Sequence, residues 1–207
     1  MAILIAVGGG SGSGKTYLTD KLISIFGEGR IGKISYDYYY KDNTGIPFEE
    51  RTKINYDSPQ SLDEALFIEH LIKIKNGESV DLPQYDYAEH NRKKETLKFE
   101  PKEIVLVDGI LLFTIPQFKK YFDYSIYVDA DSDIRFTRRL MRDCKERGRT
   151  PESVVNQYLA TVRPMHLTYV EPSKYKTDFV FINNDNTGLD KVQLKVLMKD
   201  IKDKLGV

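Results

Sequence analysis

Short apolar runs alternate with stretches of helical periodicity along most of the chain. The apolar runs predict five strands, at Ile3–Val7, Ile31–Ser35, Ile104–Val107, Tyr124–Val128 and Phe179–Ile182. Strands that alternate with helices are typical of a parallel sheet covered by helices on both faces. We therefore expect an α/β fold, organised as a three-layer sandwich around a parallel sheet of five strands.

Helical periodicity predicts helices from after Gly14 to about Phe26, over residues 61–76, from about Ser132 to Arg147, over 151–163 and over 188–204. The first has Leu18, Leu22, Ile23 and Phe26 on one face. For the second we expect Ser61 as the N-cap and Asn76-Gly77 as the end. The helices thus fall between the predicted strands, as a layered sandwich requires.

Two stretches depart from this alternation. Residues 37–60 lack clean periodicity, which indicates a long loop with helical fragments, and loops of that length are usually functional or mobile. Val80–Tyr87 and Glu95–Phe99 alternate in polarity and predict a hairpin. We expect one domain over residues 1–207, with this hairpin inserted at about 79–100 as a small lid.

The composition is that of an ordinary globular protein, with 31 Lys and Arg against 31 Asp and Glu in 207 residues. A net charge of zero provides no general field for nucleic acid or membranes, so neither is an expected partner. The single cysteine, Cys144, excludes an internal disulfide and suits the cytoplasm. The run Ile3–Val7 is too short to cross a bilayer.

The first strand leads directly into a glycine-rich segment, Gly8–Thr16, that contains the pattern GxxxxGKT. Glycine backbones can adopt positive φ and let N–H groups approach an anion, and the following helix adds its dipole. The alternative is a simple glycine-rich turn, which the strand, lysine, threonine and helix together disfavour. This phosphate loop predicts a nucleotide-binding set of Gly9, Gly10, Ser11, Gly12, Ser13, Gly14, Lys15 and Thr16.

Two aspartates follow predicted strands, where ligands bind in open α/β sheets. Asp108 comes after Ile104–Val107, an arrangement that holds Mg²⁺ in nucleotide-binding proteins, although a solvated acid at a turn would look the same. Asp37 follows the second strand and could accept a proton from an attacking hydroxyl, although a loop aspartate is commonly a turn residue. We expect Thr16, Asp37 and Asp108 to be the protein's metal ligands.

Arginines recur at helical spacing after Asp131. Arg135, Arg138, Arg139 and Arg142 lie at i, i+3, i+4 and i+7, on one side of the predicted helix, and Arg147 and Arg149 follow. Arginine forks bind phosphate oxygens and stabilise charge that develops during phosphoryl transfer. The alternative is a solvated face paired with the acids Asp131, Asp133, Asp143 and Glu146.

Taken together, the ordered motifs resemble the uridine kinase family of P-loop kinases over nearly the whole chain. Besides the phosphate loop, the resemblance rests on segments 35–41, 55–59, 83–87, 90–92, 108–111, 138–149 and 157–166. The chain departs from the family pattern at Tyr36, Ser58, Gln84 and Asp108, where the family usually has glutamine, histidine, valine and glutamate.

The resemblance implies roles for individual residues. Asp37 would orient the acceptor 5′-hydroxyl, and Asp57 would hold the ribose hydroxyls with Arg139 and Arg149 nearby. Tyr85 and His90 would meet the pyrimidine edge, Tyr87 would pack on its ring, and Gln157 would add a polar contact. Arg142 and Arg147 would reach the phosphates, and Asp185 would lie on the adenine side. On pattern alone, Tyr85 and Tyr87 could be ordinary hairpin residues and His90 a surface histidine.

The implied activity is transfer of phosphate from ATP or GTP, with Mg²⁺, to the 5′-hydroxyl of uridine or cytidine. Lys15, Asp37, Arg142 and Arg147 would be the catalytic residues, and a homo-oligomer, commonly a tetramer, would be the assembly. Two alternatives stay open: a kinase acting on phosphoribulose or pantothenate, and a nucleotide-binding regulator without kinase activity. The segment Asn183–Asn186 lacks the lysine of the guanine-reading NKxD loop of GTPases.

Overall fold

The computed structural model describes residues 1–185 and 188–207. Five strands form a parallel sheet: β1 (Ile3–Gly8), β2 (Ile31–Ser35), β5 (Ile104–Gly109), β6 (Tyr124–Asp129) and β7 (Phe179–Ile182). Their order across the sheet is β2-β5-β1-β6-β7, and two further strands form a separate antiparallel pair. The predicted α/β sandwich and its five strands are confirmed, with boundaries that shift by no more than two residues.

The helices are α1 (Lys15–Phe26), α2 (Phe48–Arg51), α3 (Glu64–Lys75), α4 (Ser132–Glu146), α5 (Pro151–Gln157), α6 (Arg163–Met165) and α7 (Lys191–Leu205). Short 3₁₀ turns lie at Tyr36–Tyr38, Pro59–Ser61, Pro116–Tyr121 and Glu171–Lys176. Residues 37–60 are therefore a long connection with helical fragments, as predicted. None of the helices in the described part of the chain has the length and apolar character needed to cross a lipid bilayer.

The strands are apolar on both faces because both faces of the sheet are covered. Successive residues of β1 point to opposite sides, so Leu4 belongs to one buried cluster and Ile5 to the other. The first cluster includes Phe67 of α3, and the second includes Leu18 of α1 and Leu197 of α7. The core thus lies in two layers, and the carboxyl edge of the sheet is left free to carry polar side chains.

The strand register brings the ends of three strands together at that edge. Asp108 of β5 pairs with Val7 of β1 on one side and with Ser35 of β2 on the other. The phosphate loop follows β1, and the 3₁₀ turn that contains Asp37 follows β2. Parallel pairing therefore places the loop and both predicted aspartates at one edge.

The predicted cap of α3 was wrong. Ser61 lies in the preceding 3₁₀ turn, where its hydroxyl donates to Ser58 O at 2.6 Å. Asp63 caps the helix instead, and its carboxylate accepts from Leu66 N at 3.2 Å. Both residue types are good caps, so only the turn before the helix decided between them. The predicted end at Asn76-Gly77 is confirmed.

The helix predicted over 151–163 is confirmed, but it is longer than predicted and changes type along its length. After α5 the chain continues through a π-helical turn at Tyr158–Val162, the short α6 and a second π-helical turn at His166–Val170. A 3₁₀ turn then extends the helical backbone to Lys176. The helix type changes around Pro164, which has no N–H to donate, and π turns absorb such irregularities within a helix.

The predicted hairpin forms from β3 (Val80–Asp86) and β4 (Asn91–Phe99), with a register shift between Pro83 and Tyr85. The second strand begins four residues earlier than predicted, because the polar run after His90 carries no apolar alternation to reveal it. Val80 and Leu82 are buried in the main core, which anchors the base of the hairpin beside α3. Its free end lies next to the long connection after β2, where Asn43 N donates to Asn91 Oδ1 at 2.7 Å and Arg51 Nη1 donates to Glu89 O at 2.9 Å.

Candidate active site

The phosphate loop is a compact turn whose backbone bends where glycines stand. Gly9, Gly12 and Gly14 have φ of 137°, 79° and 96°, a region that side chains disfavour. Lys15 folds back over the loop, and its Nζ donates to Gly9 O at 2.9 Å and Gly10 O at 3.1 Å. The lysine thus closes the loop and lies where an anion would meet the exposed N–H groups.

Neighbouring elements leave no space for a Cβ at two of these glycines. At Gly12 a Cβ would lie 2.2 Å from the backbone oxygen of Arg135, and at Gly14 it would lie 2.1 Å from Asn183 Nδ2. The Asn183 amide also donates to Ser13 O at 2.8 Å. Helix α4 and the loop after β7 therefore support the phosphate loop from behind.

Lys15, Asp37 and Asp108 form an interacting group of charges. Burial lowers the pKa of Lys15, while the charges of Asp37 and Asp108 oppose that change. Burial raises the pKa of Asp37 to about 6, with Lys15 acting in the opposite direction and Asp108 reinforcing the shift. The Asp37 carboxylate accepts one hydrogen bond, from Ile110 N at 3.3 Å. A partly buried carboxylate of raised pKa beside a phosphate loop is a candidate proton acceptor.

The oxygen groups at this edge suit a magnesium ion. Mg²⁺ prefers carboxylate and hydroxyl oxygens and, beside a nucleotide, needs only one or two protein ligands because phosphates and water supply the others. Thr16 is exposed at the start of α1, and Asp108 is buried with its Oδ2 3.7 Å from Lys33 Nζ. Within the described residues no group of three His, Cys, Asp or Glu side chains could hold a metal alone. The donor set fits a nucleotide-linked ion.

The predicted arginine face is organised around one buried acid. Asp143 is 0% exposed, and its carboxylate lies within 4.0 Å of four guanidinium groups, those of Arg139, Arg142, Arg147 and Arg149. Arg142 makes the best formed contact, donating through Nε and Nη2 to Asp143 Oδ1 at 2.9 and 2.8 Å. The solvated-face alternative therefore fails for Asp143, which holds the arginines together.

Two arginines of this group meet at Gln157. Arg139, which is 6% exposed, donates to Ser11 Oγ of the phosphate loop and to Gln157 Oε1, each at 2.9 Å. Arg149 also donates to Gln157 Oε1 and bonds Ser153 Oγ at 2.7 Å. The contacts connect α4, α5 and the phosphate loop, so the positions of the arginines depend on all three.

Aromatic rings form a wall that contacts the arginine group through Arg147. Tyr85 is buried, with ring centroids 4.8 Å from Tyr40 and 5.2 Å from Tyr87. Tyr87 is 44% exposed, and the Arg147 guanidinium lies 5.2 Å from its ring centroid. The charge of Arg147 also acts on Asp37. The wall therefore lies next to the proton acceptor and offers flat surfaces to a planar ligand.

His90 and Asp57 complete this side of the site. His90 is stacked on Tyr56, 5.4 Å between centroids, and has φ of 50°, the only positive φ of a non-glycine residue in the described chain. Burial lowers its pKa, so the neutral ring is favoured. Burial raises the pKa of Asp57, while Arg139 opposes the shift. Thr161 Oγ1 donates to Asp57 Oδ2 at 3.0 Å.

Asp185 lies away from this group, beside a cavity of about 720 Å³ on the other side of the phosphate loop. Tyr17, Ile134, Thr137 and Met141 line the cavity together with Gly14. Arg138 donates to the backbone oxygens of Asn183 and Asp185, at 2.9 and 2.8 Å. Asn186, the last residue of the segment Asn183–Asn186, lies outside the described residues.

The structure thus gathers the predicted residues into two regions joined by the phosphate loop. The sequence predicts no site role for Lys33, Thr161 or Asn183, and it predicts Asp143 only as a partner in a solvated face. Lys33 and Asn183 carry no local pattern, and the contact of Thr161 is with a residue 104 positions away. Asp143 could have been noticed as the acid at i+4 from Arg139 and i−4 from Arg147.

Known proteins resemble the chain along its length. The sequence model described as "Phosphoribulokinase / Uridine kinase family" matches residues 4–188. A uridine kinase of Clostridium botulinum strain 657 is 44% identical over 200 residues, 97% of this chain and 96% of that one. A uridine kinase of Chloroflexus aurantiacus strain J-10-fl is 49% identical over 179 residues, 86% of each.

Solved structures share the fold at low identity. Phosphoribulokinase from Rhodobacter spheroides gives a TM-score of 0.66 at 15% identity, covering 87% of this chain and 70% of that one. D-glycerate 3-kinase from Cryptococcus neoformans gives a TM-score of 0.63 at 18% identity, covering 88% and 86%. The family match over most of the chain, with the phosphate loop in place, shows that the protein is a kinase belonging to the phosphoribulokinase / uridine kinase family.

Proposed function

We propose that the enzyme transfers the γ-phosphoryl group of a nucleoside triphosphate to the 5′-hydroxyl of uridine or cytidine, as the names of its relatives suggest. The observation that carries this proposal is the position of Asp37. Its carboxylate interacts with Lys15 of the phosphate loop on one side and lies beside the aromatic wall and Arg147 on the other. The hydroxyl of an acceptor bound between Lys15 and the aromatic wall would lie close to both the donor phosphate and the Asp37 carboxylate.

The donor binds through its phosphates at Gly9–Thr16, with Lys15 reaching the β- and γ-oxygens. Its base occupies the cavity beside Asp185, and ATP or GTP is the donor. Thr16, Asp37 and Asp108 would hold Mg²⁺, directly or through water. When bound, this ion neutralises phosphate charge and orients the oxygens.

The acceptor binds between the aromatic wall and the arginine cluster. Tyr87 packs on the pyrimidine ring, and Tyr85 and His90 meet its polar edge. Asp57 accepts hydrogen bonds from the ribose hydroxyls, since a carboxylate has lone pairs for both. Arg139, Arg149 and Gln157 support Asp57 on the sugar side. The hairpin at 79–100 acts as a lid that excludes water from the γ-phosphate.

Asp37 orients the 5′-hydroxyl and accepts its proton. In a largely dissociative transition state the proton leaves late, so a carboxylate of modest basicity suffices. Arg142 and Arg147, anchored by Asp143, stabilise the charge on the transferred group. Lys15 keeps contact with the phosphates as charge moves toward the leaving group.

The test combines a nucleoside panel with the Asp37→Asn variant. With Mg-ATP or Mg-GTP, we expect uridine or cytidine to yield the monophosphate, and phosphoribulose and pantothenate to yield no phosphorylated product. The variant should bind nucleotide normally and lose roughly 100-fold or more in kcat, the usual contribution of a general base. Slow nucleotide hydrolysis with no acceptor-dependent product would instead favour a regulator.

We further propose a cytoplasmic homo-oligomer, on the strength of the family resemblance and of a chain with a single cysteine. Of the departures from the family pattern, Tyr36 is buried in the hydrophobic core against Phe67 and Phe118, Ser58 directly follows Asp57 on the acceptor side, and Asp108 lies on the metal side. Asp108 is one methylene shorter than glutamate, which favours a water between the carboxylate and the ion. The effect of these positions can be measured by replacing each residue with the one usual in the family and comparing the ratio of activity on uridine to activity on cytidine.

A further inference from the structure

Thr161 lies beside Asp57, in the segment 157–166, and the family resemblance gives it no role. Its Oγ1 donates to Asp57 Oδ2 at 3.0 Å and lies 3.2 Å from Gln157 O. A threonine hydroxyl has one proton, so it donates fully to one of these acceptors at a time. The carboxylate is the stronger acceptor when ionised, and the bond to it is favoured.

The helix around Thr161 connects it to the arginine cluster. Thr161 lies in the π-helical turn Tyr158–Val162, and such turns occur frequently at functional sites. Gln157, four residues earlier, accepts from Arg139 and Arg149. Two side chains one helical turn apart therefore contact the site: Gln157 contacts the arginines, and Thr161 contacts Asp57.

Thr161 is the one group that hydrogen-bonds the Asp57 carboxylate within residues 1–185 and 188–207. The bond fixes the carboxylate plane through Oδ2, and it leaves Oδ1 and one lone pair of Oδ2 available to a ligand. Asp57 is partly buried, and burial raises the pKa of its carboxyl, so a fixed orientation matters because less water is available to compensate for a misplaced oxygen.

We propose that Thr161 is a positioning residue that orients Asp57 for the ribose diol and so sets the preference for ribonucleosides over 2′-deoxyribonucleosides. This inference rests on the proposed function, in which Asp57 holds the ribose hydroxyls. Thr161 itself touches no reacting atom. Its contribution is to hold a binding carboxylate in one orientation before the acceptor arrives.

The test replaces the hydroxyl by a methyl group of similar size in Thr161→Val. We expect KM for uridine to rise about tenfold, the usual effect of losing a hydrogen bond to a charged group, and the preference for uridine over 2′-deoxyuridine to fall by a similar factor. Turnover at saturation and KM for the nucleotide should stay within about twofold. Thr161→Ser keeps the hydroxyl and should restore both values.

Thr168→Val is the matched control. Thr168 lies in the second π-helical turn, is exposed, and donates to Pro164 O at 2.9 Å, the same bond to the fourth preceding residue. Removal of the Thr168 hydroxyl disturbs the helix without affecting Asp57, so we expect this variant to keep the wild-type preference for uridine over 2′-deoxyuridine. Equal behaviour of the two valine variants would overturn the inference, as would an equal rise of KM for nucleotide and nucleoside in Thr161→Val.

If Thr161→Val does not fold, Thr161→Ala is compared with Thr161→Ser by the same KM values and the same preference for uridine over 2′-deoxyuridine. Asp57→Asn distinguishes failure of this inference from failure of the proposed function. This variant should abolish the preference for ribonucleosides. If it does so while the Thr161 variants keep the preference, Thr161 has no positioning role and the function stands. If Asp57→Asn keeps the preference too, Asp57 does not hold the diol and both fail.

Discussion

At the scale of single residues, the site depends on groups whose ordinary chemistry is changed by their surroundings. Asp37 is partly buried between Lys15 and Asp108, and burial disfavours its charged form more strongly than the lysine favours it. The carboxylate is therefore a better proton acceptor than an aspartate in water. Burial also lowers the pKa of Lys15, whose Nζ donates a hydrogen bond to the backbone oxygen of Gly9 in the phosphate loop.

Asp37 gives a direct prediction about titration. In the metal-free and nucleotide-free protein its carboxyl should titrate near pH 6, so the protonated form dominates below that pH and the carboxylate above it. Carbon NMR of side-chain carboxyls, compared with Asp37→Asn, identifies the resonance. A pKa near 4 for Asp37 would contradict the burial argument, and addition of Mg²⁺ with nucleotide should lower the measured value.

Asp143 shows why the same residue type can be structural in one place and solvated in another. It is fully buried on α4 among four arginines, and removing one partner of a buried ion pair leaves charges uncompensated. We expect Asp143→Ala to reduce the free energy of unfolding by about 3 kcal/mol and to lower kcat. Urea denaturation and initial rates measure the two effects.

The control for that variant is Glu146→Ala, which removes an exposed acid from the last turn of the same helix. It should change the free energy of unfolding by no more than about 0.5 kcal/mol. If both variants behave alike, Asp143 is not the anchor of the arginines.

At the scale of elements, the phosphate loop works because α4 and the loop after β7 support it closely. Gly12→Ala would bring a Cβ within 2.2 Å of the Arg135 backbone, at a φ that side chains disfavour. We expect loss of nucleotide binding, measured by calorimetry, by roughly 100-fold or more, since backbone strain and a clash together exceed about 3 kcal/mol. Circular dichroism checks that the sheet persists.

Gly29→Ala is the matched control, because a Cβ at Gly29 would meet nothing within 4 Å and its φ is ordinary. It should bind nucleotide as the wild type does. Tight binding by Gly12→Ala would mean that the loop can shift away from α4, and the close support seen here would then be dispensable.

At the scale of the whole molecule, the phosphate loop and helix α4 both join the two regions of the site, so ligand binding should stabilise the entire fold. Mg-nucleotide at about 100 times its Kd adds about 2.7 kcal/mol, which corresponds to a rise in Tm of roughly 5–10 °C for a chain of this size. Lys15→Ala should lose most of that rise. Thermal shift measurements with and without nucleotide give the result.

Lys21→Ala, on the exposed side of the same helix α1, is the control and should keep the full rise. A normal shift in Lys15→Ala would place the nucleotide outside the phosphate loop and would undermine the donor half of the proposed function.

The sequence by itself determined the sheet strands to within two residues and also the phosphate loop, because both are local patterns. A run such as Ile104–Val107 is apolar at every position only when both faces are covered, and Gly12 and Gly14 mark φ values that other residues avoid. The resemblance to kinases followed from the same ordered motifs.

Only the tertiary structure decided which charged and polar side chains meet. Asp143 and Glu146 look alike in a charge run, yet one is buried among arginines and the other is exposed. Ser61 and Asp63 are equally good N-caps by residue type, but the Ser61 hydroxyl bonds to Ser58 O in the preceding turn and Asp63 caps the helix. Thr161 reaches Asp57 across 104 residues through a π-helical turn that periodicity did not reveal. Such contacts depend on how distant elements pack, and no local pattern encodes them.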